Sequence, residues 1–476
     1  MTLHKKRVRA ITWGVVVIYI GMLVWWFAGN PYASLSVQLP GNDGRPDSIA
    51  RGADEVRIGE FFMQYQDPST VTPNPLLEQW NRFRGPSMNN RVETPLVKEL
   101  PTPLTTLWKV TTGEGHAAPA IFGGRVYMLD YDEALRSDAL RCFSLETGTE
   151  LWRRWYRVPI KRNHGFSRTI PFVNEKYVIT LGPKGHVMCC DPITGEMKWA
   201  LDIERTYHTE VPFWYTGQCP LVEDDVLIIA TGGDALLAGI DCATGEELWR
   251  TPNPDGYKMS HSSVIPMVLG GYRTYVYMAI GAVCGVSAEP SDRGKLLWHS
   301  TGFQPNVIAP SPIQVASNRV FLTAGYGSGG ALMEIARNGN QFSAAILSKH
   351  RPREGASSEQ QTPLFANNMV ITVMPKDGGG LRDRLVCYSP ENLLQPVWTS
   401  AADEKFGLGP YMIINRQLFV LKDDGELYLY QLGNRELVLV RKERILEGVD
   451  AWGPMAYSEG KLLIRDAHTL VCLKLN

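Results

Sequence analysis

The sequence predicts an all-β protein: an eight-bladed β-propeller of four-stranded antiparallel blades, preceded by one N-terminal transmembrane helix. Three observations predict it. A short block recurs, as FSLETGTELW ending at Trp152, CCDPITGEMKW ending at Trp199 and GIDCATGEELW ending at Trp249. Each copy is an apolar run, a polar turn closing on Thr-Gly (Thr147-Gly148, Thr194-Gly195, Thr244-Gly245) and a second run ending in Trp, which reads as strand, tight turn, strand. The tryptophans keep a period: Trp108, Trp152, Trp199, Trp249 and Trp298 are 44, 47, 50 and 49 residues apart, and Trp398 lies 100 further on, two periods with a degenerate copy between. Periods of about 40 to 50 residues carrying four short strands each mark propeller blades. Finally, the 373 residues from Leu104 to Asn476 hold eight periods of about 47.

From the N-terminus, Lys5, Lys6, Arg7 and Arg9 precede Ile11 to Gly29, a 19-residue run without a charge. At about 1.5 Å per residue this run spans the ~30 Å hydrocarbon core, and Trp13, Trp25, Trp26 and Tyr32 sit near its ends, where aromatic belts form. The basic flank predicts a single-pass anchor in a bacterial inner (cytoplasmic) membrane, with the rest of the chain on the periplasmic or extracytoplasmic side. A cleaved signal peptide is the competing reading; against it, the run is long for such a segment and the residues around Pro31 and Ala33 make a poor cleavage site. No Cys follows the run to serve lipoprotein processing. Residues 1–30 are therefore read as basic flank and signal anchor, 31–103 as an extracytoplasmic tether and 104–476 as the ring. The tether is rich in Pro, Gly, Asn and Asp, but IGEFFMQY and EQWNRFRGP carry aromatics that a solvated linker does not need, so it is expected to be partly ordered.

Within the ring, a small-residue cluster with Pro opens each inner strand (HAAPAIF, GQCPLV, HSSVIPMV, AWGPMAY), and a second apolar strand such as RVYMLD or VLIIATG follows. The last blade, Trp452 to Asn476, has only three strands, and the orphan strand at 104–110, with Trp108 in register, is expected to close the ring and remove its open edges.

Eight Cys in an extracytoplasmic chain invite disulfides, yet their register argues for buried thiols. Cys142 and Cys189 lie ten residues before the blade Trp, Cys387 eleven before, and Cys472 takes the matching place in the last blade. Equivalent slots of face-packed sheets are about 10 Å apart, beyond the ~7 Å that a disulfide tolerates between Cα atoms. Cys189 and Cys190 are adjacent, and strand alternation points them to opposite faces, so two free thiols are expected there as well. The formal net charge of −1 with 20% charged residues, and no basic stripe, gives no reason to expect a nucleic-acid partner.

On these repeats the chain is similar to the PQQ-like repeat family of β-propellers, whose signature is Asp-x-x-Thr-Gly followed after three residues by Trp. Asp191, Thr194, Gly195 and Trp199 match in full, as do Asp241, Thr244, Gly245 and Trp249; in the first copy Glu146 is read as standing in for Asp. The resemblance covers roughly 104–476 and implies that the motif residues, with Trp298 and Trp398, are structural, each Trp docking on the turn of an adjacent blade. The WNRFRGP and TTLWKVTTGEGHAAPAIFGGRVYML blocks also resemble the start of membrane-associated members of unassigned role. Two branches of the family set the functional expectations. Quinoprotein dehydrogenases hold pyrroloquinoline quinone and Ca²⁺ over the channel with Glu and Asn ligands, an Asp base and a vicinal Cys pair in a loop; assembly-factor propellers hold no cofactor. Here Cys189-Cys190 falls in a repeat strand, and the loop acids Glu210, Glu359 and Asp450 read as solvated loop charges, so no catalytic, cofactor or metal residue is assigned. The expectation is a protein-binding or assembly scaffold; the alternative is a PQQ- and Ca²⁺-dependent dehydrogenase oxidising an alcohol or sugar.

The long loops, among them 157–168, 202–217, 325–330, 350–361 and 375–384, share the face opposite the Thr-Gly turns, and binding residues concentrate on such loops. His164, Arg168, His208, Trp214, His261 and Trp452 lie next to inner strands and are the candidates for a channel-mouth binding site, the plainer reading being that each packs a rim or a blade. Three His without local spacing give only weak ground for a metal.

Overall fold

In each blade, alternating and continuous apolar runs fold into four strands because one sheet buries both faces against its neighbours. The protein is seen in a computed structural model that describes residues 2–29 and 56–476; the Pro31/Ala33 cleavage question and the first part of the expected tether lie outside the described residues. The chain divides into two units, Met1–Glu55 and Val56–Asn476. In the first, Thr2–Ala28 is one α-helix whose stretch Lys5–Ala28 is long and apolar enough to cross a membrane, a test that a signal sequence also passes.

The second unit is an eight-bladed β-propeller of antiparallel blades. The eight innermost strands are Ala120–Phe122, Phe172–Val173, Leu221–Glu223, Ile265–Leu269, Ile313–Ala316, Leu364–Ala366, Tyr411–Ile414 and Ala456–Ser458, numbered here as blades 1 to 8. Blade 8 joins Thr105–Thr111 to the C-terminal strand Thr469–Lys474, with Trp108 opposite Cys472.

The Trp motif works across blades. Indole nitrogens of Trp108, Trp152 and Trp199 donate to the carbonyls of Leu145 (2.9 Å), Ile193 (2.9 Å) and Cys242 (2.8 Å), each in the next blade's turn. Gly195 shows why that turn ends in glycine: its φ is 71°, and an added Cβ would stand 2.8 Å from the Trp152 ring. The Asp of the motif shapes the turn, since Asp191 Oδ1 accepts from the amides of Ile193 and Thr194, both at 2.9 Å. In the first copy it is Ser144, and not Glu146, that fills this slot: its Oγ accepts from the Thr147 amide, three residues on as in the other copies.

Opposite each Trp on the third strand sits a small residue: Cys142, Cys189, Gly239, Gly285, Cys387 and Cys472 face Trp152, Trp199, Trp249, Trp298, Trp398 and Trp108. A register shift accompanies the pair in every blade. Blades 5 and 7 keep the shift and lack the Trp, with Ser348 opposite Leu332 and Arg441 opposite Leu429. Ser348 is thus the degenerate copy midway between Trp298 and Trp398. All eight thiols are free and buried, and Cys189 and Cys190 join different apolar clusters on the two faces of their sheet.

The segment read as a tether is packed against the ring from Val56 onward, which changes two blades from four strands to five. Phe61–Gln64 pairs with the outer strand Glu150–Arg157 of blade 1, Phe61 stacking on Trp155 at 4.3 Å. Arg91–Val92 runs parallel to the inner strand of blade 7. Residues 78–94, which include Arg91–Val92, form a hairpin that plugs the central channel. It enters at the turn face, where the Glu78 amide donates to Glu459 (2.6 Å), and pairs Trp80 with Ile121 and Asn81 with Val173. At its apex the buried Arg84 donates to the carbonyls of Met88 (3.0 Å), Thr362 (2.9 Å) and Pro363 (3.1 Å). The chain then returns to the turn face, Asn90 donating to the Tyr411 carbonyl and the Thr94 amide to Asn415, both at 2.8 Å. Inner strands expose unpaired backbone groups to the channel, and the plug satisfies a set of them.

One buried carboxyl couples blades 1 and 2. Asp138 accepts from Ser167 Oγ (2.8 Å) and Tyr156 Oη (3.2 Å), and burial raises its pKa to about 7. Because the folded pKa lies above the unfolded value near 3.9, this group favours folding fully below about pH 4 and loses that contribution as pH rises to about 7. Asp138→Asn is expected to flatten the pH dependence of the melting temperature between pH 5 and 8 and to raise stability most at the upper end. An unchanged pH profile in the variant would refute the assignment.

Candidate functional site

Above the plug, at the mouth opposite the Thr-Gly turns, the channel opens into a cavity of about 170 Å³. Its floor is the plug apex, with Phe83, Arg84 and Asn90; its walls come from the loops that precede the inner strands. Five of the six sequence candidates, His164, Arg168, Trp214, His261 and Trp452, line it. His208 does not. It caps the short helix Ile203–Tyr207 in a left-handed conformation, is exposed, and pairs through Nδ1 with Asp234 (2.7 Å).

The candidates converge because each small-residue cluster carries a larger residue just before it turns into the inner strand. The same register holds His116 and Gln361, which the sequence reading passed over although the first opens the HAAPAIF block and the second the QTP block. His116 stacks on Trp452 at 4.7 Å and an interplanar angle of 29°. From blade 5, Tyr326 reaches across to stack on Trp214 at 5.7 Å and 17°. Tyr326 holds φ 54°, a left-handed conformation that costs a non-glycine residue about 1–2 kcal/mol. Its signal in the sequence was only the glycine-rich GYGSGG loop. Gln361 ties the rim together, donating to the carbonyls of Leu408 (3.1 Å) and Trp452 (2.8 Å).

The electrostatics are one-sided. Arg168 donates through one Nη to the carbonyls of Asn163, His164 (3.1 Å) and Gly165 (3.4 Å) of its own loop. Burial lowers its pKa to about 10, with only the phenols of Tyr215 and Tyr326 acting against that shift. Burial, assisted by the charges of Arg465 and Arg168, lowers the His116 pKa to about 3; burial and Arg168 lower that of His261 to about 4. Both imidazoles are therefore neutral near pH 7. His116 Nδ1 and His261 Nε2 are buried without a hydrogen-bond partner.

Among the described residues, no Asp or Glu lines the cavity. Glu210 pairs with Lys258 (2.5 Å) at the surface and Asp450 is a loop residue in a left-handed conformation; Glu359, expected as a solvated loop charge, is instead buried, its carboxylate accepting from the Lys376 amide (3.3 Å) with Lys376 Nζ at 3.9 Å. Among the described residues no group of three or more His, Cys, Asp or Glu is placed to hold a metal. A hard cation such as Ca²⁺ takes six to eight oxygen ligands with carboxylates among them, so the mouth residues do not fit a calcium–quinone pair.

Fold and repeat define the class: a PQQ-like repeat β-propeller with a plugged channel. The chain belongs to the family described as outer membrane protein assembly factor BamB, whose model matches residues 136–392. Among solved structures it is similar to BamB from Moraxella catarrhalis, with 12% identity and a TM-score of 0.50, covering 78% of this chain and 100% of that one. A europium-containing methanol dehydrogenase gives 11% identity and a TM-score of 0.57 over 86% of this chain and 99% of that one. The quinohemoprotein alcohol dehydrogenase from Comamonas testosteroni gives 12% and 0.57 over 85% and 81%. At such identities the likeness is one of fold. No curated protein sequence matches the chain.

Proposed function

We propose that the protein is a membrane-anchored, extracytoplasmic scaffold that binds a protein partner through the loop-bearing face of its propeller, and that it works without a quinone cofactor. The observation that carries this reading is the chemistry of the mouth: among the described residues it is lined by arginine, histidine, amide, aromatic and small apolar or hydroxyl side chains and by no carboxylate, which does not supply the ligands and base that a metal-dependent dehydrogenase needs. The family match to an assembly factor supports it, as does the N-terminal helix, which is long enough to tether the ring at a membrane. The motif residues are committed to blade-to-blade packing and leave the loops as the accessible surface on which binding residues concentrate.

The test is retention of the cofactor. After incubation of the full-length protein in detergent with pyrroloquinoline quinone and Ca²⁺, gel filtration is expected to remove the quinone absorbance and alcohol-dependent dye reduction to be absent. Stoichiometric retention with turnover would overturn the reading.

A further inference from the structure

Among the described residues, seven of the eight blades leave the outer side of their outermost strand unpaired, and an open strand edge is a place where another chain can add. The outer strand of blade 7, Leu437–Arg444, differs from the other six. Val438, Leu439 and Val440 are 54%, 40% and 56% exposed, three large apolar residues in succession. On the neighbouring blade 6, Leu394 and Val397 are exposed too, and Trp398 meets Tyr430, the residue opposite Leu439, at 5.8 Å. The apolar patch thus spans two blades, and such patches mark contact surfaces. The register shift at Val440 leaves the edge open to pairing. Leu151 holds the same place in blade 1, where the edge takes Phe61–Gln64 as a fifth strand and the amides of Tyr65 and Gln66 donate to the Leu151 carbonyl (3.0 and 3.2 Å).

The order of charges around the patch names its occupant. With the turn before it, the strand reads RELVLVRKE over residues 435–443. Laid antiparallel on a second copy of itself about Leu439, it sets Val438 against Val440, Leu437 against Arg441, Glu436 against Lys442 and Arg435 against Glu443. The last two pairs join opposite charges, and a two-fold axis makes each of them twice. A centre one residue earlier would oppose Arg435 to Arg441; one residue later would oppose Val438 and Leu439 to Lys442 and Arg441. Charge and apolar pattern therefore select the same register. Among the described residues neither Glu436 nor Lys442 has an ion-pair partner within its own chain. We propose that the protein forms a symmetric dimer in which the outer strands of blade 7 pair edge to edge about Leu439, joining two blades into one continuous sheet. The pairing covers the apolar residues and gives partners to the open backbone groups of the edge. It goes beyond the loop-face reading and stands whether or not a partner is found there.

The test combines crosslinking with charge reversal in the full-length protein. Leu439→Cys is expected to give a disulfide-linked dimer on mild oxidation, in membranes and in detergent micelles. The axis brings the two Cα atoms to about 4.5–5.5 Å, within the ~7 Å that a disulfide tolerates, and the eight native thiols are buried and do not compete. Leu248→Cys, on the outer strand of blade 3 and also exposed, is the control and is expected to stay monomeric. By light scattering in micelles, Lys442→Glu and Glu436→Lys are each expected to raise the dimer dissociation constant by about tenfold. The double variant Glu436→Lys/Lys442→Glu is expected to return it to within about threefold of the wild type. Both residues are exposed, so these variants leave the fold intact, and the rescue assigns the contact to this edge and not to the N-terminal helix. The proposal is overturned if the wild type stays monomeric up to about 100 μM or if Leu439→Cys crosslinks no better than Leu248→Cys. It is equally overturned if Leu439→Cys links to a different protein in place of a second copy, or if the double variant dimerises no better than the single ones.

Discussion

Replacing Trp152 by alanine is expected to lower the stability of the propeller by about 3–5 kcal/mol, the range for truncating a buried Trp. Trp152 is fully buried, bonds the Ile193 carbonyl of the next blade, and packs on both Gly195 and Phe62. Its loss opens a cavity at a blade junction and removes one of the two donors to the Ile193 carbonyl, leaving Arg125 Nη1 at 2.8 Å. A companion variant identifies the mechanism. Gly195→Ala alone forces a Cβ against the indole and against Phe62 Cε2 and a side chain onto φ 71°, whereas in the Trp152→Ala background the indole's share of that steric cost disappears. The two changes should therefore be less than additive in a double-mutant cycle, by an amount of order 1 kcal/mol. Urea denaturation of the four proteins reads this directly, and strict additivity would mean that Trp152 does not hold the turn.

Arg84→Met is expected to cost about 2–4 kcal/mol, because the carbonyls of Met88, Thr362 and Pro363 lose their donor, each such loss costing about 1–3 kcal/mol. Relief of the buried charge, whose pKa burial lowers to about 10, offsets part of it. The variant should also make the plug accessible: limited proteolysis is expected to cut within residues 78–94 in Arg84→Met and to spare the wild type. Equal stability with equal protection would contradict the role given to the plug.

The ring was legible in the sequence because its determinants repeat. Trp152, Trp199 and Trp249, their Thr-Gly turns and the small residues opposite the Trps recur at one phase, since each junction between blades poses the same packing problem. Where the side chain changed and the backbone did not, the period was lost to the eye: Ser348 and Arg441 keep the register shift of a blade Trp without the indole. The plug was not legible. WNRFRGP has no period to follow: its aromatics pointed to some order in the tether, but nothing local showed that its Arg and Asn residues would answer the unpaired backbone of the inner strands. Apex Gly85, at φ 77° and with the Trp80 ring 2.7 Å from where a Cβ would stand, marks the hairpin only once the channel around it is known. The mouth was half legible. Adjacency to inner strands located His164, Arg168, Trp214, His261 and Trp452, but it also admitted His208, which a helix cap turns toward Asp234. Tyr326 joins from a loop two blades away from Trp214, a contact that no local pattern encodes.

The central claim, that the loop face binds a protein partner, is tested most directly by site-specific photocrosslinking in native membranes. Phe213 is 81% exposed and lies beside Trp214 at the mouth, whereas Ile193 sits in a Thr-Gly turn on the other face and is 37% exposed. With a photoreactive phenylalanine analogue at each position in turn, the account predicts one discrete crosslinked protein from Phe213 and none from Ile193. Crosslinks from Ile193 alone, or none from either position, would contradict it.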